Sequence, residues 1–203
     1  MYELILSGGW FIWPLLVCSV LMISIILERL WLLQSKLVIP SNLLKQVVIL
    51  IENNKFTIQQ QESFVSMSHL GSMLATIYRH KDLPREIIES KTEDKAEEIR
   101  FDLERNISNL GIIASIAPLL GLLGTVVGMI KVFANLESLN QTNNANLLAS
   151  GISEALVTTA VGLLVAVPAL TAYHLFNRRV EHLMVSIQTE SSCLLYTSDA
   201  ADE

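Results

Sequence analysis

Charge is scarce in this sequence. Of 203 residues, 17% are Asp, Glu, Lys or Arg, against about 25% in an ordinary soluble domain. The deficit is local. Charged residues are missing altogether from 4–27, 106–130 and 155–177. Between the first two runs, residues 28–105 carry 23 charges in 78 residues, a normal aqueous density. That split excludes a simple soluble domain, and it excludes a disordered chain. Basic clusters are missing too. Fourteen basic residues against 20 acidic ones leave a net charge of −6, which argues against nucleic acid as a partner. Only two cysteines occur, Cys18 and Cys193. Their surroundings differ too much for a disulfide framework or a metal site. The sequence has no HExxH, no GxSxG, no P-loop and no GxGxxG turn, so no enzyme activity and no cofactor is expected. His69, His80, His174 and His182 are not spaced with Cys or carboxylates as metal ligands, and they read as surface histidines.

What is present is apolar and long. A helix needs about 20 apolar residues to cross the hydrocarbon at 1.5 Å each, and each charge-free run is 23 to 25 residues long. Only helices satisfy their own backbone in lipid. The expected fold is an all-α integral membrane protein: three transmembrane helices, a helical cytoplasmic domain, and long helices extending from the membrane. The first transmembrane helix with a short external N-terminus takes 1–33, and the cytoplasmic domain takes 34–105. The second span takes 106–130, a short periplasmic connection 131–154, the third span 155–177 and a cytoplasmic tail 178–192. No basic n-region precedes the first run and no small-residue cleavage site follows it, so it reads as a retained anchor. Trp10, Trp13 and Trp31 bracket it, as interfacial aromatics do.

Basic residues set the orientation. Residues 28–105 hold 11 Lys and Arg, 131–154 holds Lys131 alone, and the tail opens with Arg178 and Arg179. Positive-inside counting places the loop and the tail in the cytoplasm, with the N-terminus and 131–154 outside. Lys131 reads as an interfacial side chain reaching for water. Within the loop, Leu44, Val47, Val48 and Ile51 form a helical stripe. Asp82 and Pro84 mark a helix start. No Pro or Gly follows Arg85 until Gly111, and Ile99, Leu103, Ile107 and Leu110 recur at three and four residues. One helix is therefore expected from Arg85 through the second span. The last eleven residues, CLLYTSDAADE, resemble the translation of a transposon-type sequencing adapter. Residues 193–203 are accordingly expected to be an artefact. Without them 14 basic residues face 17 acidic ones, a net charge of −3.

Small residues recur in the second and third runs. Ala117, Gly121 and Thr125 are spaced by four, as are Gly124 and Gly128, and as are Thr158, Gly162 and Ala166. Such rows let helices approach closely, and lipid supplies no hydrophobic drive for association, so these faces need partner helices. Plain packing of the two spans against each other explains any one small residue. The rows together with their polar members, Thr125, Thr158, Thr159 and Glu154, point to a packed, pore-lining pair. A lone Thr in a span can bond its own i−4 carbonyl and means little. Glu154 stands at the outer boundary, where a carboxylate either functions or reaches water. Glu154 and Thr158 share a face, whereas Thr159 points about 140° from Glu154.

The segments APLLGLLGTVVGMIKVF (117–133) and GISEALVTTAVGLLVAVPAL (151–170) resemble the paired signatures of the MotA/TolQ/ExbB proton-channel family, in its ExbB/TolQ-like branch. The resemblance implies an inner-membrane subunit of a homo-oligomer, a pentamer, whose second and third spans line a pore. It implies a dimer of an ExbD/TolR-like one-span partner whose carboxylate shuttles protons, and a TonB/TolA-like transducer. Protons would be the coupling ion. By motif, the pore threonines are Thr125 and Thr159, the boundary glutamate is Glu154, and Pro118 and Pro168 match span prolines. Thr158 is an extra hydroxyl, and Lys131 stands where an uncharged residue is expected. Two other readings remain: a MotA-like motility stator, which usually has four spans, and a passive membrane scaffold.

Overall fold

A computed structural model describes residues 10–40, 43–52, 57–138 and 144–201. Among these, every regular element is an α-helix. In order they are α1 (Ile12–Leu32), α2 (Ser35–Val38), α3 (Leu43–Glu52), α4 (Ile58–Met67), α5 (His69–Arg79), α6 (Arg85–Glu104), α7 (Ile107–Ser138) and α8 (Asn144–Ala201). The far N-terminus, part of the outer connection at 139–143 and part of the stripe region at 53–56 lie outside the described residues. Three stretches are long and apolar enough to cross a membrane: Ile12–Leu32, Ile107–Ala134 and Gly151–Cys193. The protein is a multi-pass membrane protein with a helical domain between its first two spans.

The chain divides into two units. One holds Met1–Leu27 and Asn106–His174, the other Glu28–Arg105 and Leu175–Glu203. In the first unit α1 buries a single stripe, Ile12, Leu15 and Met22, and exposes Leu16, Val17, Val20 and Leu21. A helix bathed in lipid needs only one face for its neighbours. Pro118 and Pro168 lie inside α7 and α8, and neither ends its helix. Prolines are tolerated within spans because neighbouring groups satisfy the freed carbonyl.

The second unit is built like a water-soluble helical domain. Its centre is α5, which packs against α3, α4 and α6. Leu70, Met73, Leu74 and Ile77 of α5 are buried, as are Leu43 and Val47 of α3 and Ile99 and Leu103 of α6. Each such side chain contributes about 1.5–3 kcal/mol by leaving water. Local signals start the helices. Ser68 caps α5, its Oγ accepting from the Gly71 amide at 3.0 Å. Thr57 and Gln60 form a capping box at α4. Pro84 occupies the N-cap position of α6. The last part of α8 buries Val180, Leu183, Met184 and Ile187. Arg179 ties this part of α8 to Ser35, its Nη2 donating to Oγ at 2.7 Å.

The single helix expected from Arg85 through the second span is two helices. Arg105 and Asn106 interrupt it as turn residues. Arg105 itself keeps right-handed helical angles, φ −43° and ψ −51°. Asn is a weak helix former because its side-chain amide competes for backbone groups. The anticipated stripe survives the break: Ile99, Leu103, Ile107 and Leu110 are all buried.

Candidate pore-lining helix pair

Glycine brings α7 and α8 into backbone contact. A methyl group added to Gly162 would lie 2.7 Å from the Ala117 carbonyl oxygen and 3.2 Å from Gly121 Cα. One added to Gly121 would lie 3.1 Å from Thr159 Cα and 3.2 Å from the Thr158 carbonyl oxygen. At Gly124 it would run into the Thr158 side chain, 3.0 Å from Cβ. At Gly128 it would meet Ala155 Cβ at an ordinary 3.4 Å. The structure thus brings together Ala117, Gly121, Gly124 and Gly128 on one helix with Ala155, Thr158, Thr159 and Gly162 on the other. Ala166 is buried as well, Pro118 is half-buried and Pro168 is exposed. At the far end of the pair, Gly111 faces the Tyr173 ring, with 3.1 Å from a built Cβ to Cε2.

The hydroxyls occupy three different settings. Thr158 is 1% exposed, wedged against Gly124, and its Oγ1 donates to the Glu154 carbonyl at 2.8 Å. Its surroundings are those of a packing residue. Thr159, one position on and 100° round, is half-buried and donates across the pair to the Gly121 carbonyl at 3.2 Å. Thr125 is half-exposed on α7 and donates to the Leu122 carbonyl at 2.6 Å. Side-chain to backbone bonds of this kind let a span carry hydroxyls at little cost.

At the outer end the Lys131 ammonium lies 3.7 Å from Glu154 Oε1. Lys131 therefore does more than reach for water, as its place at a span end suggested. It answers the boundary carboxylate across the helix pair. The two residues are 23 positions apart, and neither periodicity nor motif pairs them.

Among the described residues no cluster of His, Cys, Asp and Glu is arranged to hold a metal ion. Arg29 is one of the 11 basic residues of 28–105 counted for the orientation. It is 3% exposed, and its Nη1 donates to the Leu103 carbonyl at 3.0 Å. His69 is not a surface histidine: it is half-buried, and burial pushes its pKa below the ordinary 6.5. The Asp102 carboxylate opposes that shift, and Lys95 adds to it.

Residues 59–189, well over half of the chain, match the MotA/TolQ/ExbB proton channel family. The chain belongs to that family. The matched stretch includes both glycine-threaded signatures and the helices α5 and α6. Relatives place this member of the MotA/TolQ/ExbB family in its ExbB/TolQ-like branch. Over 183 residues it is 30% identical to the biopolymer transport protein exbB1 of Vibrio cholerae, covering 89% of this chain and 80% of that protein. It is 29% identical over 187 residues to a putative biopolymer transport protein, ExbB-like 1, of Synechocystis sp., covering 91% and 70%. Over 82 residues it is 42% identical to the Tol-Pal system protein TolQ of Pseudomonas aeruginosa, covering 40% and 35%.

Proposed function

We propose that this chain is the proton-channel (stator) subunit of an inner-membrane energy-transducing complex of the ExbB/TolQ type. It couples proton-motive force to work at the outer membrane or to import through it. The observation that carries this reading is the α7–α8 pair, closed at its core by glycine, with the Thr159 hydroxyl bonded across it to the Gly121 carbonyl and Thr125 half-exposed on α7. Thr125 and Thr159 line the proton path, with Glu154 and its partner Lys131 at the outer mouth. Thr158 shapes the pair from inside. Pro118 and Pro168 sit within the two lining helices. The basic residues flanking the spans support a periplasmic N-terminus and a cytoplasmic C-terminus.

Partners follow from what the spans do not carry. Outside their ends the charge-free runs hold Cys18, Tyr173 and His174 as titratable groups. A relay across ~30 Å of hydrocarbon needs more than these and two hydroxyls. A dimer of an ExbD/TolR-like one-span partner supplies a carboxylate, and a TonB/TolA-like transducer carries the motion onward. Several copies of this chain, five by family pattern, surround the partner. Exposed apolar side chains along the pair, among them Leu119, Leu122, Val126, Leu163 and Leu164, offer faces to neighbouring copies and to lipid. Each proton moved through 100 mV releases about 2.3 kcal/mol, so several per stroke suffice for mechanical work.

The test is to co-express the chain with its one-span partner and assay proton-driven function in Thr125→Ala, Thr159→Ala and Glu154→Ala. Loss of about tenfold or more in the threonine variants, with assembly intact, supports the channel. Full activity in all three leaves the passive scaffold as the better reading. The three spans among the described residues speak against the motility-stator alternative, and a flagellar rather than an envelope phenotype on deletion would revive it.

A further inference from the structure

A cavity of about 500 Å³ in the second unit is lined by the end of α1, the α2 segment, the α4–α5 junction and the end of α6. Its size lies within the range of small-molecule sites. Two features are unusual. First, it holds both signs of charge, Arg29 and Arg105 together with Glu28 and Asp102. Arg105 lies close enough to Arg29 for their like charges to repel. Second, the Arg29 side chain is 3% exposed and incompletely bonded. Nη1 reaches the Leu103 carbonyl and Nη2 lies 3.7 Å from Glu28 Oε1, but Nε is buried without a hydrogen-bond partner. A buried guanidinium donor left unmatched is costly, and two guanidiniums lining one cavity favour an anion within it.

Position decides which anion. Arg29 lies in the last turn of α1, and Arg105 stands two residues before α7. Both helices are long and apolar enough to cross the bilayer. The cavity therefore opens where acyl chains give way to headgroups. Leu32, Leu37 and Met67 line it and are exposed, and Trp31 beside them is 72% exposed, as interfacial aromatics are. Apolar walls next to charged groups match a lipid better than a soluble ion.

We propose that this cavity seats the headgroup of an amine-bearing phospholipid, with phosphate on Arg29 and Arg105 and ammonium on Glu28 and Asp102. A headgroup without the amine would set two carboxylates against a phosphate. His69, also in the lining, has its pKa pushed below the ordinary value by burial, which disfavours a third cation beside Arg29 and Arg105. This site is separate from the α7–α8 pair and does not depend on proton conduction.

The test uses the full chain, purified in detergent and stripped of lipid. Dioleoyl-phosphatidylethanolamine, -phosphatidylglycerol and -phosphatidylcholine are added back singly, and retained lipid is counted by native mass spectrometry. The wild type is expected to retain the ethanolamine lipid about tenfold better than either of the others, the equivalent of one charge-assisted hydrogen bond. Arg105→Gln, at an exposed residue, should lower that retention by a similar factor while helicity by circular dichroism stays unchanged. Glu28→Gln should erase the preference for ethanolamine over glycerol headgroups. Equal retention of all three lipids by wild type and Arg105→Gln would overturn the proposal. So would millimolar inorganic phosphate displacing the lipid as completely as excess phosphatidylethanolamine does, because the site would then be one for free phosphate.

Discussion

Between α7 and α8 the nearest neighbours are glycine carbons, a carbonyl oxygen and a threonine side chain. Around α5 they are Leu70, Met73, Leu74 and Ile77. The same chain joins helices in two ways, and the solvent explains the difference. In water, large apolar side chains are driven together because burial frees them from hydration. In lipid that drive is absent, so association rests on the close approach that small residues permit. Helix capping follows the same division: Ser68 and Thr57 belong to the second unit. Ion pairs occur in both, Arg85–Glu89 and Lys91–Asp94 in the second and Lys131–Glu154 in the first. Glycine crosses the line too: Gly71 in α5 abuts the Phe64 backbone, 2.9 Å from a built Cβ to the Phe64 carbon. There glycine serves a tight turn between α4 and α5.

The largest test of this contrast is Gly162→Leu. No side chain fits where even a methyl meets the Ala117 carbonyl, so the folded helix pair and all proton-driven function should be lost. Gly162→Ala should cost about 1–3 kcal/mol through overpacking, whereas Gly128→Ala, at ordinary contact distance, should cost less than about 0.5 kcal/mol. Thermal unfolding in detergent reads both, and a harmless Gly162→Ala would break the comparison.

On the other side, Leu74→Ala should destabilise the second unit by about 2–5 kcal/mol. The same kind of truncation at exposed Val20 in α1 should leave the melting curve unmoved. Ser68→Ala removes the α5 cap and should cost about 1 kcal/mol, seen as a lower midpoint in the same melt. The pH dependence is subtler. The folded His69 binds protons less readily than the unfolded one, so its contribution is complete above pH 6.5 and is lost as pH falls through the lowered folded value. His69→Gln should flatten the stability profile between about pH 7 and pH 5. Smallest of all, Lys91→Ala breaks an exposed pair and should shift stability by less than about 0.5 kcal/mol.

Much of this division is legible without coordinates. The three spans announce themselves because lipid tolerates no charge over about 20 residues. The glycine rows show which helices meet, and 100° per residue already separates Thr158 from Thr159. Other features depend on contacts between distant residues. The Lys131–Glu154 pair joins residues on two helices, and Arg29 looks like any boundary charge until Leu103 is placed beside it. His69 offers no local sign of burial, because its partners Lys95 and Asp102 sit on another helix. The stop at Arg105 and Asn106 leaves no Pro or Gly to mark it.

The way the span threonines bond has one more consequence. Thr125, Thr158 and Thr159 each give their only hydroxyl hydrogen to a backbone carbonyl. What a hydroxyl so engaged presents outward is lone pairs alone. A carboxylic acid brought against Thr125 meets a waiting acceptor for its proton-bearing oxygen. The same group after losing its proton meets only oxygen, and must first prise the hydroxyl from the Leu122 carbonyl. If Thr125 faces the proton path proposed above, its bond to the Leu122 carbonyl would favour the neutral acid over its anion.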